Sequence, residues 1–134
     1  MNKTVVIIGG STGIGKALVQ EAAKDPENQV LAFARNTDLM NESFRNLKNV
    51  SSHFLDLEKI DGFEFEKKLK ELNSIDILIN NAGYLVNKSF VNLSTEDLNR
   101  SFKVNSIGIM EITRHCLPYL NNEFAHIVNI SSMG

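Results

Sequence analysis

The sequence has no tryptophan, one cysteine, two prolines and two tyrosines. A single cysteine, Cys116, excludes an internal disulfide. It also has no Cys or His partner at metal-ligand spacing, so no metal site is expected. A chain without disulfides suits a reducing compartment, and a cytoplasmic location is expected. Charge of one sign is lacking too. The 14 Lys and Arg stand against 16 Asp and Glu, a net charge of −2. That balance excludes the clustered basic surface of a nucleic-acid binder. No apolar run approaches the ~18 residues of a membrane span. Met1-Asn2-Lys3-Thr4 brings one Lys and no small-residue cleavage site, so no signal peptide is expected. Repeats, low-complexity tracts and Pro/Ser-rich linkers are absent. Residues 1–134 are read as one domain with a real core.

What is present is a strict alternation of strand and helix patterns. Apolar, β-branched runs predict strands at Lys3 to Gly9, Gln29 to Ala34, Val50 to Leu55, Ile75 to Ile79 and His126 to Ser131. Helices are predicted between them. The first is Gly13 to Lys24, with Ile14, Ala17, Leu18 and Ala22 on its apolar face. The others are Asp38 to Leu47, Phe63 to Leu72 (stripe Phe65, Leu69, Leu72) and one long helix, Thr95 to Leu120. Strands this apolar are expected to be covered on both faces, as in parallel sheets. The expected fold is α/β, a Rossmann-like doubly wound parallel sheet of about five strands. The run Lys67-Lys68-Leu69-Lys70-Glu71 is a solvated helix face.

Between the first strand and first helix lies Gly9-Gly10-Ser11-Thr12-Gly13-Ile14-Gly15. Glycines there permit a tight turn, a close backbone approach to a pyrophosphate and close helix–strand packing. The helix N-terminus offers free N–H groups to phosphates, and Ser11 and Thr12 add hydroxyls. A nucleotide-hydrolysing P-loop fits less well. Gly10 to Lys16 matches its first seven positions, but the eighth is Ala17, which has no hydroxyl for Mg²⁺. Arg35 closes the second strand, where a dinucleotide fold reads the adenosine ribose. A guanidinium there favours a 2′-phosphate, so NADP(H) is expected over NAD(H). Asn80-Asn81-Ala82-Gly83 closes the fourth strand. Its two amides can tie neighbouring strands, and Ala82 and Gly83 leave room beside them.

The spacing Gly9-x-x-x-Gly13-x-Gly15, followed by Asp56-Leu57, Asn80-Asn81-Ala82-Gly83, Asn105 and Ser132 in order, resembles the short-chain dehydrogenase/reductase family. The resemblance spans Thr4 to Gly134. It implies an oxidoreductase moving hydride between NADP(H) and a small carbonyl or alcohol substrate, and a homo-oligomer. It implies that Asp56 hydrogen-bonds the adenine amino group and that Leu57, beside it, belongs to the cofactor site. Asn105 would support a proton-relay water, and Ser132 (Ser131 the alternative) would orient the substrate oxygen. Ile8 stands where the family usually has Thr, and Gly10 where it usually has Ala. The family's Tyr-x-x-x-Lys motif is not found among these residues. Tyr84 to Lys88 has the spacing but directly follows Gly83 and reads as a loop. The 134 residues alone are therefore expected to be inactive, and a dinucleotide-binding module without chemistry is the alternative. His53, His115 and His126 have no motif partners and read as structural or surface residues.

Overall fold

A computed structural model describes residues 2–132. Five strands form one parallel sheet: β1 (Thr4–Ile8), β2 (Gln29–Ala34), β3 (Val50–Phe54), β4 (Ile77–Asn80) and β5 (His126–Asn129). Their order across the sheet is β3-β2-β1-β4-β5. The direction of winding therefore reverses at β1, between β2 and β4. Helices α1 (Gly13–Ala22), α2 (Thr37–Phe44), α3 (Gly62–Lys70), α4 (Thr95–Phe102) and α5 (Gly108–Cys116) make the crossovers. No helix among the described residues is long and apolar enough to cross a membrane.

Alternation along β1 divides the core. Val5 and Ile7 face a cluster with Val19 and Ala23, from α1 and the residue after it, and with Met40 and Phe44 of α2. Val6 and Ile8 face Phe65 and Leu69 of α3 and Ile112 and Cys116 of α5. Two apolar layers on opposite faces make the doubly wound architecture. Each buried Val, Ile, Leu or Phe contributes about 1.5–3 kcal/mol of transfer free energy.

Coverage of both faces holds for β1 and the body of β2 but not for the edges. All four residues of β5 are exposed, Val128 by 38%, and Phe54 at the end of β3 by 65%. An edge strand has only one neighbour, and among the described residues no named element beyond β4 makes substantial contact with β5.

Two expectations about helix faces need correction. On α1, Ile14 is 62% exposed and Ala17 is also exposed. The buried positions are Gly15, Val19 and Ala23, an i, i+4, i+8 stripe. Gly15 sets that phase, because a Cβ there would run into the Gly9 carbonyl oxygen. The helix must present its bare position to the turn, and Ile14 rotates outward.

The long helix from Thr95 is not uniform. It runs as α4, then a π-helical segment over Lys103–Ile107, then α5, and it ends in a 3₁₀ turn at Leu117–Tyr119. The Gly108 N–H donates to the Lys103 carbonyl, five residues back. Gly108 also lies close to the Leu57 backbone, where an added Cβ would sit 2.9 Å from the carbonyl oxygen. The wider turn rotates the helix surface between its two halves. The apolar residues of the two halves therefore do not share one buried face. Phe102 is 64% exposed, whereas Ile112 and Cys116 are fully buried. π segments of this kind occur mostly as single-turn insertions, often at functional sites.

Candidate functional site

A cleft of about 660 Å³ opens at the carboxyl ends of the strands, beside the β1 switch point. Open α/β sheets place their ligands in this position. Its floor begins at the glycine-rich turn. Gly9 adopts φ +89°, in the left-handed region, and a Cβ there would lie 2.6 Å from the Ala82 Cα. The turn is tied to β2 by Gly9 N–H, which donates to the Phe33 carbonyl at 2.7 Å. Asn81 Nδ2 donates to the Gly9 carbonyl at 3.1 Å and ties it to the end of β4.

The helix termini differ in one respect. Asn36, Asp61 and Ser94 cap α2, α3 and α4 with side-chain oxygens. Thr12, the N-cap of α1, makes no side-chain cap bond, and the first turn of α1 carries no acid. The first N–H groups of a helix have no partner within it. Here they lie behind Ser11 and Thr12, which line the cleft. This is the terminus best suited to an anionic ligand.

Nine of the thirteen sequence-selected contact residues line this cleft: Gly9, Ser11, Thr12, Arg35, Asp56, Leu57, Asn81, Ala82 and Gly83. Four do not. Gly13 and Ile14 lie on the exposed first turn of α1, and Gly15 is buried against Gly9. Asn80 is fully buried. Its Nδ2 donates to Asn129 Oδ1 at 2.8 Å and to Thr113 Oγ1 at 3.1 Å. It joins β4 to β5 and α5, as the amide reading of the motif anticipates. Its Oδ1 is buried with no hydrogen-bond partner among the described residues.

At the far rim, Arg35 extends from the end of β2 and is exposed. No carboxylate among the described residues pairs with it. Asp56 folds into a turn in which its Oδ1 accepts from Glu58 N–H at 2.9 Å. Asn105, in the π segment, accepts from Tyr84 N–H through Oδ1 and donates to the Tyr84 carbonyl through Nδ2. Ser131 and Ser132 are exposed beyond β5 and do not line the cleft.

Sequence reasoning passed over several lining residues: Ile8, Phe33, Ala34, Asn36, Leu55, Glu58, Tyr84 and Val104. Asn36, Glu58, Tyr84 and Val104 each directly follow or precede a selected residue, and that adjacency was the available signal. Tyr84 lies in a loop, and Lys88 pairs with Asp97 at 2.8 Å. Burial pushes the Cys116 thiol up to about 12, so it is no nucleophile. His115 pairs with Glu66 at 2.8 Å, and His53 packs against Phe33 with ring centroids 5.1 Å apart.

Comparison with known proteins accords with this geometry. The chain is 32% identical over 135 residues to the uncharacterized oxidoreductase YvrD of Bacillus subtilis, covering 97% of this chain and 51% of that protein. It is 31% identical to the NADP-dependent 3-hydroxy acid dehydrogenase of Schizosaccharomyces pombe, covering 98% of this chain and 54% of the other. Among solved structures, the bulky-bulky ketone specific alcohol dehydrogenase of Comamonas testosteroni superposes with a TM-score of 0.86 at 28% identity. That match covers 99% of this chain and 56% of the other. The chain thus spans about half the length of the relatives it matches. The family model for short chain dehydrogenase matches residues 3–134, and the chain belongs to that family.

Proposed function

We propose that residues 1–134 form a nicotinamide-dinucleotide-binding domain and that the protein they belong to is an oxidoreductase. It would move hydride between NADP(H) and a small carbonyl or alcohol. The observation that carries this is the uncapped, acid-free N-terminus of α1 beside the cleft. It complements a pyrophosphate through N–H donors and the helix dipole.

The residues fit the cofactor as follows. The turn from Gly9 to Gly15, with Ser11 and Thr12, would hold the pyrophosphate. Asp56 and Leu57 would border the adenine, beside Asn81, Ala82 and Gly83. Arg35, exposed and unpaired among the described residues, would hold a 2′-phosphate with paired N–H donors. Hydride chemistry would be the cofactor's own. The chain's residues would orient it and the substrate, with Asn105 and Ser132 (or Ser131) nearest the reacting oxygen. A proton donor at that oxygen is also required. Among the described residues no Tyr-x-x-x-Lys pair is assigned that role, and the segment by itself is inferred to bind cofactor without turnover. In the same reading the protein works in the cytoplasm and self-associates through the exposed apolar residues of α4 and α5, Phe102 and Met110 among them.

The test is a fluorescence titration with NADPH and with NADH. Saturable binding, tighter for NADPH, is expected. Absence of binding to either would overturn the dinucleotide assignment. Equal affinities would overturn the NADP(H) preference alone.

A further inference from the structure

We propose that Arg100 is a positioning residue for the cleft: it neutralises the Glu58 carboxylate and backs the Tyr84 ring, so that an anionic ligand can enter. The inference rests on the dinucleotide reading of the cleft.

Arg100 lies in the last turn of α4 and does not itself line the cleft. It stands behind two residues that do. Its Nε is 3.0 Å from Glu58 Oε1, and both side chains are about one-third exposed. That Nε makes no aligned hydrogen bond, so the tie to Glu58 is chiefly coulombic. Its Cζ lies 4.2 Å from the centroid of the Tyr84 ring, and Nη1 donates to the Tyr84 hydroxyl at 3.4 Å. Asn105 fixes the backbone of the same tyrosine. Tyr84 is thus held by its main chain from the π segment and by its ring from α4. Arg100 links α4 to the loops that follow β3 and β4.

The charges on the lining give this arrangement a purpose. Its charged members are Arg35, Asp56 and Glu58. One cation against two carboxylates leaves the lining formally at −1. A dinucleotide brings further negative charge through its pyrophosphate, and a 2′-phosphate adds to it. An uncompensated Glu58 would repel that ligand across a partly desolvated gap, where coulombic energies exceed those in bulk water. Arg100 brings the local sum to zero without occupying the cleft. A face-on guanidinium also favours the tyrosine ring electrostatically. Ring and carboxylate therefore share one cationic support.

The experiment uses the full-length protein and titrates NADPH and NADH against four forms: unaltered, Arg100→Met, Glu58→Gln and the double variant. Affinities are read at low and high ionic strength. Arg100→Met is expected to weaken both cofactors by roughly three- to tenfold, less at high salt, where screening shortens the reach of Glu58. Glu58→Gln alone should bind at least as tightly as the unaltered protein. The double variant should regain most of the loss, which a merely structural role for Arg100 would not produce. No loss in Arg100→Met, or a double variant as weak as the single one, overturns the proposal. If Arg100→Met does not fold, Glu58→Gln decides alone: weaker binding there overturns it. If the unaltered protein binds neither cofactor, the dinucleotide reading itself has failed, an outcome distinct from these.

Discussion

Asn105 holds both polar groups of Tyr84's main chain. Its Oδ1 accepts from the Tyr84 N–H at 2.7 Å, and its Nδ2 donates to the Tyr84 carbonyl at 2.8 Å. A carboxamide presents one acceptor and donors side by side, and this is the pairing an extended backbone residue requires. Replacing Asn105 with Ala removes both bonds. A cost of about 1 kcal/mol in urea unfolding is expected, in line with two solvent-exposed hydrogen bonds. Asn105→Asp keeps the acceptor but turns an oxygen toward the Tyr84 carbonyl, and it should be no better than Ala. A stability for Asn105→Ala equal to the parent would show that the Tyr84 loop is held by other means.

The glycines of the first turn should respond unequally. Gly13 has φ +55° and open space around its missing Cβ, so Gly13→Ala should cost only the backbone strain, about 1–2 kcal/mol. Gly15 has ordinary φ but is pressed onto the Gly9 carbonyl and Asn81 Nδ2. Gly15→Ala must move backbone, and a larger loss is expected, at or above the ~1–3 kcal/mol usual for overpacking. Thermal melts of the two variants give the order directly. The reverse order would mean that α1 shifts easily on the sheet.

Arg35 should govern the choice between the two nicotinamide cofactors. Arg35→Ala is expected to weaken NADPH by roughly tenfold, the value of one charged, bidentate contact, while NADH changes little. Parallel titrations measure the ratio. An equal effect on both cofactors would move the 2′-phosphate elsewhere.

His53 makes stability sensitive to acid. Burial, first, and the nearby Lys68, second, lower its pKa below the ordinary 6.5, while Glu71 acts weakly the other way. The unfolded chain therefore binds a proton at a higher pH than the folded one. Stability is intact above about pH 6.5 and falls as the pH drops below it, until the folded form is protonated too. His53→Gln should flatten this part of the profile. Urea midpoints from about pH 7.5 to about pH 5 make the comparison. Parallel profiles for the two proteins would assign the acid sensitivity to other groups.

Local patterns in the sequence carried most of the fold. The β-branched runs Lys3 to Gly9 and Ile75 to Ile79, and the spacing of Phe65, Leu69 and Leu72, put their signals in neighbouring residues, and the strands and α3 follow them closely. The π segment was not legible. It depends on Gly108 meeting the Leu57 backbone, a contact between elements far apart in the chain. The outward turn of Ile14 was hidden for the same reason, since Gly15's contact with Gly9 fixes the phase of α1. In the cleft, residues inside recognisable strings were found and their immediate neighbours Glu58 and Tyr84 were not. Arg100 gave no signal at all. In the sequence it is a polar residue on a helix, and only the fold brings it to both of them.

The bond from Asn80 to Asn129 behaves as an alignment pin. The two residues are register partners in β4 and β5, so their side chains emerge on the same face and meet at 2.8 Å. Sliding β5 by one position would send Asn129 to the opposite face and leave a buried amide with one partner fewer. Strand position is thus allowed in steps of about 3.3 Å, and a single step is penalised by the loss of that contact. Ser131 and Ser132 follow Asn129 by two and three residues. Their height above the sheet is therefore set from within the buried core, by an amide that itself lies outside the cleft.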